Sequence, residues 1–450
     1  MAANKFFTIS LLKEKSTYAT LLLSFTLILC SGIATIAQTK KNKHQIIAIN
    51  AAEISTGTNS KAIINVTIIN GLGGEPLTEG CVLIKDGKIQ EVGKMSDVSI
   101  PAAAEITDAS GMYLLPGFID SHFHLDRTKG LPAKFLQHGV TSIRDPGAWI
   151  ESYDEERKSG KKIPRLFLTG PHFDMPPPAY PYDAYIVRDN YEAIKQVNAL
   201  ADQGATALKI YFRVPPGMIQ AICSTAHQRG IPVTAHLEIT EAMIAIEAGL
   251  DGVEHITSFG LSLLPKREGE KYRQGMLADN NFRKPGRYNM WKDININSAA
   301  ADSLSRYLVR KGTFVSPTLG PFEYQASNGP VDSAKLSGFN NMKAMTAKFN
   351  KAGVRLVLGS HSMIPYAEEG WAYQREMELW VESGIPNTRV IMGATIENAR
   401  YFRIDDRLGS IEKGKIADIV LIKGNPLVDI KAMRDIEKVM LNGVWVASGE

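Results

Sequence analysis

Short apolar runs alternate with longer amphipathic segments through the middle of the chain. The runs fall at 117–124, 140–145, 165–170, 206–212, 232–236, 252–255, 313–319 and 354–361. They are too short for ordinary helices and are punctuated by Gly, Pro and Asp, a pattern that predicts strands buried on both faces. Helix-length segments lie between most of them, at 191–203, 217–229, 240–248 and 299–310. Eight such strands with intervening helices predict an α/β fold, a (β/α)8 TIM-like barrel, whose chemistry gathers at the C-terminal ends of the strands. One connection is long. Residues 258–298 carry Tyr272, Tyr288 and Trp291 among many charges, and a segment of that size predicts a lid or an excursion over the barrel mouth, where specificity is expected to lie.

The flanks read differently. Short β runs at 63–70, 80–84, 86–92 and 105–108, with a hairpin turn at Lys85-Asp86-Gly87-Lys88, are matched by runs at 409–414, 417–422 and 439–443. Residues 62–115 and 408–450 therefore predict one small β-sandwich domain built from both ends of the chain, with the barrel, 116–407, inserted in it. Ahead of it, 38–61 is polar and without period, as in a linker. Lys5, Lys13 and Lys15 precede an apolar run at 18–36 and the sequence Thr35-Ile36-Ala37-Gln38. This predicts a signal peptide over 1–37, cleaved after Ala37, and hence an exported, periplasmic or extracellular protein with no stable membrane span after cleavage. A retained anchor is the alternative, since the run is long enough to span a bilayer. Cys30 raises a lipid anchor, against which stands the large Leu29 before it.

Composition narrows the function classes. Of 450 residues 44% are hydrophobic and 22% charged, as in a packed globular enzyme. A formal net charge of +4 with no dense Lys/Arg cluster in the body of the chain gives no footprint for nucleic acid. Beyond the leader only Cys81 and Cys223 remain, too few for a disulfide framework. Homo-oligomer formation stays open.

Candidate chemistry sits at the predicted strand ends. His122 and His124 are two apart, so on a strand both imidazoles face one side and form half of a metal site. Lys209, His236, His255 and His361 stand at or near the ends of four further strands. Packing alone seldom ends apolar strands in ionisable groups. Lys209 is an otherwise unexplained charge in an apolar run, and a neutral, desolvated lysine can take up carbon dioxide as a carbamate.

Pro116-Gly-Phe-Ile-Asp-Ser-His-Phe-His124, Val233-Thr-Ala-His236, Gly252-Val-Glu-His255 and Ile411-Glu-Lys-Gly-Lys-Ile-Ala-Asp-Ile-Val420 resemble the amidohydrolase superfamily of metal-dependent hydrolases. The imidazolonepropionase-like and prolidase-like members are closest in texture. The resemblance implies metal-ligand roles for His122, His124, His236 and His255, with carboxylated Lys209 bridging two divalent ions. Zinc is the default ion for so imidazole-rich a set. One departure matters: after the eighth strand the family pattern has an aspartate that binds metal and accepts the proton of the attacking water, and here His361 stands in its place. Imidazole can do both, but it is neutral where aspartate is anionic.

Four further residues have softer claims. Tyr211, on the Lys209 face, suits hydrogen bonding to a substrate carbonyl. Arg213 suits a substrate carboxylate, His172 a substrate contact, and Glu238 proton transfer in a one-metal site. The function expected is hydrolysis of a C–N bond in a small amide or dipeptide, with His361 as ligand or base. Two alternatives compete: a mononuclear deaminase-like enzyme, and a metal- or ligand-binding relative without catalysis.

Overall fold

The computed structural model describes residues 59–125, 128 and 130–446. The predicted leader, its cleavage site and Cys30 lie outside these residues, as does most of the predicted linker. Among the described residues no helix is long and apolar enough to cross a membrane.

Eight short parallel strands form the barrel: β1 (Phe118–Asp120), β2 (Val140–Asp145), β3 (Arg165–Leu168), β4 (Leu208–Ile210), β5 (Val233–His236), β6 (Gly252–Glu254), β7 (Phe314–Ser316) and β8 (Arg355–Leu356). Strands β1 to β3 pair as one sheet and β4 to β8 as part of another. Backbone hydrogen bonds close the ring on both sides. Thr206 N donates to Leu168 O between β3 and β4 (2.9 Å), and Ser121 N donates to Leu358 O between β1 and the segment after β8 (3.1 Å). A TIM-like barrel follows, with no free edge strand between its first and eighth members.

The strands are shorter than the apolar runs that predict them, for a local reason. Thr318 and His361 adopt φ of 48° and 49°, which breaks the pleat and turns the chain out at the mouth. Between β3 and β4 the chain adds two strands of its own, His172–Asp174 and Ala184–Ile186, and the first pairs with β4 through Ile210 and Phe173. Helices start at side-chain caps: Asp189 Oδ1 accepts from Glu192 N, and Ser298 Oγ from Ala301 N.

Both ends of the described chain build the small β domain. Lys61–Ile68 pairs antiparallel with Leu77–Lys85 and parallel with Glu105–Asp108 and Tyr113–Pro116, and the last strand pairs with Ile419–Ile422. The hairpin at Asp86-Gly87 has φ of 52° and 74°, the doubly positive turn that suits twisted antiparallel strands. The 409–414 run forms no strand. It is an edge loop whose Ile411 N and Gly414 N donate to Asn70 O and Ile89 O. Asp418 ties this domain to the barrel: its carboxylate pairs with the Arg165 guanidinium of β3 and accepts from Asn442 N, and its carbonyl accepts from Gly117 N.

The long segment folds as α1 (Lys266–Ala278) and α2 (Arg283–Lys292). Their aromatic residues turn inward. Tyr272, Tyr288 and Trp291 are buried, and Tyr288 OH donates to Phe322 O. A Cβ on Gly338 of α3 (Ser333–Ala352) would lie 2.9 Å from the Tyr288 carbonyl, so α2 and α3 approach at backbone contact. These three aromatics hold the segment down.

The segment after β7 is held from below. Buried Glu376 accepts from Leu319 N and Trp380 Nε1 at one oxygen and from Gly320 N at the other. All three partners donate, so Glu376→Gln sets an amide N–H against an N–H. We expect a loss of about 1–3 kcal/mol in denaturant unfolding, and an unchanged midpoint would refute this account.

Candidate metal centre and active site

Every predicted ligand except Lys209, which lies within β4, sits at or just beyond a strand end. His122 and His124 follow β1, His236 ends β5, His255 follows β6 and His361 follows the β8 segment. A cavity of about 180 Å³ opens over these ends, and all six residues line it. One ring nitrogen from each of His122, His124 and His361 lies within 4.8 Å of the others. The His122 and His124 Nε2 atoms are 3.1 Å apart. The His255 ring lies 4.6 Å from that of His122 and 4.3 Å from that of His236, centroid to centroid.

Two of these rings are hydrogen-bonded from behind at Nδ1 and that of His124 has a carboxylate behind it, which leaves Nε2 for the cavity. His122 Nδ1 is 2.5 Å from Glu254 Oε2, and His124 Nδ1 is 3.6 Å from Asp145 Oδ1. His255 Nδ1 is 2.5 Å from Thr318 Oγ1, whose own proton goes to Pro317 O, so the imidazole is the donor. Such partners orient metal-binding histidines and raise their basicity. His361 Nδ1 and His236 Nε2 are buried without a hydrogen bond among the described residues. Burial lowers the histidine pKa values, His122 to about 4, His236 to about 3, and His255 and His361 well below the usual range. They stand neutral, the form that binds metal.

The backbone is strained where the ligands project. His255, Thr318 and His361 all have positive φ, a state that persists only when surroundings impose it. His361 N donates to His122 O (2.7 Å). A Cβ on Gly359 would lie 2.6 Å from that of His122, so only glycine lets this segment pass close enough to deliver His361.

Lys209 is buried, and burial pulls its ammonium down to about 8, with Glu254 opposing the shift. Glu254 is held well below the usual carboxylate range, against its own burial, by Lys209 first and His122 next. It was legible by the same signal as Lys209, a charge inside an apolar strand. Asp145, Thr318 and Glu254 are supports that the strand-end pattern of histidines alone does not reveal.

The softer candidates separate. Tyr211 and His172 line the cavity with ring centroids 4.6 Å apart, and burial pushes the Tyr211 phenol well above its usual pKa. Arg213 does not line the cavity. Its Nη2 donates to Met276 O and Asn280 Oδ1, which ties it to α1 and the turn after it because the chain bends away beyond β4. Arg283 and Arg287 of α2 reach the cavity instead. Both pair with Glu238, at 2.5 and 2.7 Å, and Arg283 Nη2 donates to Tyr211 OH at 2.8 Å. These arginines hold Glu238 well below its usual pKa despite its burial, which leaves it a poor proton carrier.

Comparison with known proteins places the fold and the family. An adenine deaminase of Moorella thermoacetica is 24% identical over 424 residues, 90% of this chain and 60% of that enzyme, so the chain spans about three-fifths of its relative's length. The crystal structure of a putative prolidase from Bifidobacterium longum matches with a TM-score of 0.67 at 24% identity, over 87% of this chain and 95% of the other. A Xaa-Pro dipeptidase with bound methionine in its active site matches at 0.68 and 21%, over 87% and 100%. At such identities the likeness is one of fold. The model of the amidohydrolase family matches residues 113–446, and the chain belongs to that metal-dependent family.

Proposed function

We propose that this protein hydrolyses a C–N bond in a small amide or dipeptide-like substrate, using two divalent ions held by His122, His124, His236 and His255 and bridged by carboxylated Lys209, with His361 as ligand or base. The observation that carries the reading is the convergence of five imidazoles and one buried lysine on a single cavity. The donor set fits zinc, and His361 Nδ1 is a buried imidazole nitrogen for which the described residues provide no partner. Such ions, when bound, supply Lewis acidity and make water nucleophilic near neutral pH.

The chain's own residues do the rest. Tyr211 keeps its proton and accepts from Arg283, so its O–H is free to donate to the carbonyl oxygen as negative charge develops there. Acting as base with its ring off the metal, His361 takes the proton of the attacking water and returns it to the leaving nitrogen, so that C–O forms before C–N breaks. His172, buried with an unpaired Nε2, contacts the substrate beside Tyr211. The apolar run at 18–36 supports export as part of this proposal.

The deaminase-like reading rests on sequence likeness to adenine deaminases, and the two arginines on Glu238 weigh against it. The test is metal content per chain after production with zinc, with and without bicarbonate, alongside turnover of acyl amino acids, dipeptides and adenine. Two ions and bicarbonate-dependent amide cleavage are expected. Turnover of adenine alone would overturn the amidase reading, and one ion or none with no turnover would favour a protein without catalysis. His361→Asp adds a second check. It is expected to cut turnover at least about tenfold, about 1.4 kcal/mol of barrier, in a site built around histidine, whereas a rise would mark a decayed site.

A further inference from the structure

We infer that Arg283 and Arg287 form a carboxylate clamp, so that the substrate is an amide whose leaving amine carries a free carboxylate, as in an acyl amino acid or a dipeptide. The inference rests on the proposed hydrolysis and names its substrate class. Glu238 is the one carboxylate paired with these two guanidiniums among the described residues, so the group carries one net positive charge. All three side chains are nearly inaccessible, at 6%, 5% and 2% exposure. A buried cation in excess of its counterions is costly unless an anion arrives to pair with it.

Donors remain for that anion. Arg283 uses Nε on Glu238 and Nη2 on Tyr211, and Arg287 uses Nη2 on Glu238. Arg287 Nε is buried without a partner, and neither Nη1 has one among the described residues. A guanidinium presents its donors as a planar fork that matches a carboxylate. One net charge suits a monoanion better than a phosphate dianion.

Position gives the register. Tyr211 stands between the clamp and the metal-ligand cluster: its ring centroid is 4.9 Å from that of His236 and 5.2 Å from the Arg283 Cζ. A carboxylate on the arginines and a carbonyl at the Tyr211 hydroxyl are then separated by about the length of one amino-acid unit, on the order of 3.5 Å. An amino acid that leaves as the amine carries its carboxylate at that separation from the scissile carbonyl.

The experiment is calorimetric binding of N-acetyl-L-phenylalanine and its neutral carboxamide to the zinc-loaded protein, before and after Arg287→Met. That change leaves Glu238 and Arg283 as a neutral pair, so the fold should persist, as thermal melting would verify. Arg287→Lys keeps the charge without the fork. The acid is expected to bind at least about tenfold more tightly than the carboxamide, Arg287→Met to remove that preference, and Arg287→Lys to restore part of it. Equal binding of both probes, binding of neither, or a preference that survives Arg287→Met because the carboxylate sits on metal would each overturn the clamp. Turnover is read separately: acid-selective binding without cleavage sinks the hydrolase proposal and leaves the clamp standing.

Discussion

Lys209→Met is expected to remove at least one metal ion per chain and to lower amide hydrolysis on the order of 10³-fold, about 4 kcal/mol of barrier. The side chain lies among Glu254, Arg144 and the histidines, and its packing volume is retained by methionine. What is lost is the anion that a carbamate would supply between two cations. Imidazole ligands bring no negative charge to offset two divalent ions, so the bridging group matters more here than in a site with an additional aspartate. Lys209→Glu separates these ideas, since it brings a carboxylate without carbon dioxide. It is expected to recover part of the metal binding and to do so equally with and without bicarbonate. Full metal content and turnover in Lys209→Met, measured by elemental analysis and amide cleavage, would leave the lysine as a structural charge and sink the carbamate.

The same residues explain why so much of the site was readable from sequence. A barrel strand is buried on both faces, so His236 at the end of one or Lys209 inside another violates the apolar pattern, and the violation marks chemistry. The supports behind the ligands are less visible. Asp145 also ends a strand, but its role depends on which ring it meets across the barrel, which spacing along the chain does not encode. Arg213 and Arg283 show the limit plainly. Arg213 shares strand parity with Lys209, yet β4 ends at Ile210, and the parity that still holds for Tyr211 is lost by Arg213. Arg283 lies some seventy residues on, in a segment whose path over the mouth is set by packing of Tyr288 and Trp291, not by local pattern. The lid itself was legible as an excess of length; which of its residues face the cavity was not.

Far from the chemistry, Asp418→Ala is expected to cost about 3–5 kcal/mol of stability while leaving the metal content of the folded fraction unchanged. Asp418 belongs to the Ile411–Val420 motif that resembles the family, and its work is mechanical. Arg165 enters β3 at the end opposite the metal ligands, buried, with both terminal nitrogens on the Asp418 carboxylate and one also on Asn442. Asp418 Oδ1 additionally accepts from Asn442 N (2.9 Å). Removing the carboxylate strands a guanidinium in the seam between barrel and β domain, and desolvation that was offset becomes uncompensated. Replacing both partners, Arg165→Met with Asp418→Leu, removes the stranded charge and is expected to recover most of the loss, because the cost lies in an unpaired ion more than in a missing attraction. Unfolding midpoints of the two single variants and the double variant test this directly. If the double variant is as unstable as the sum of the singles, the two residues act independently and the seam is held by its backbone hydrogen bonds.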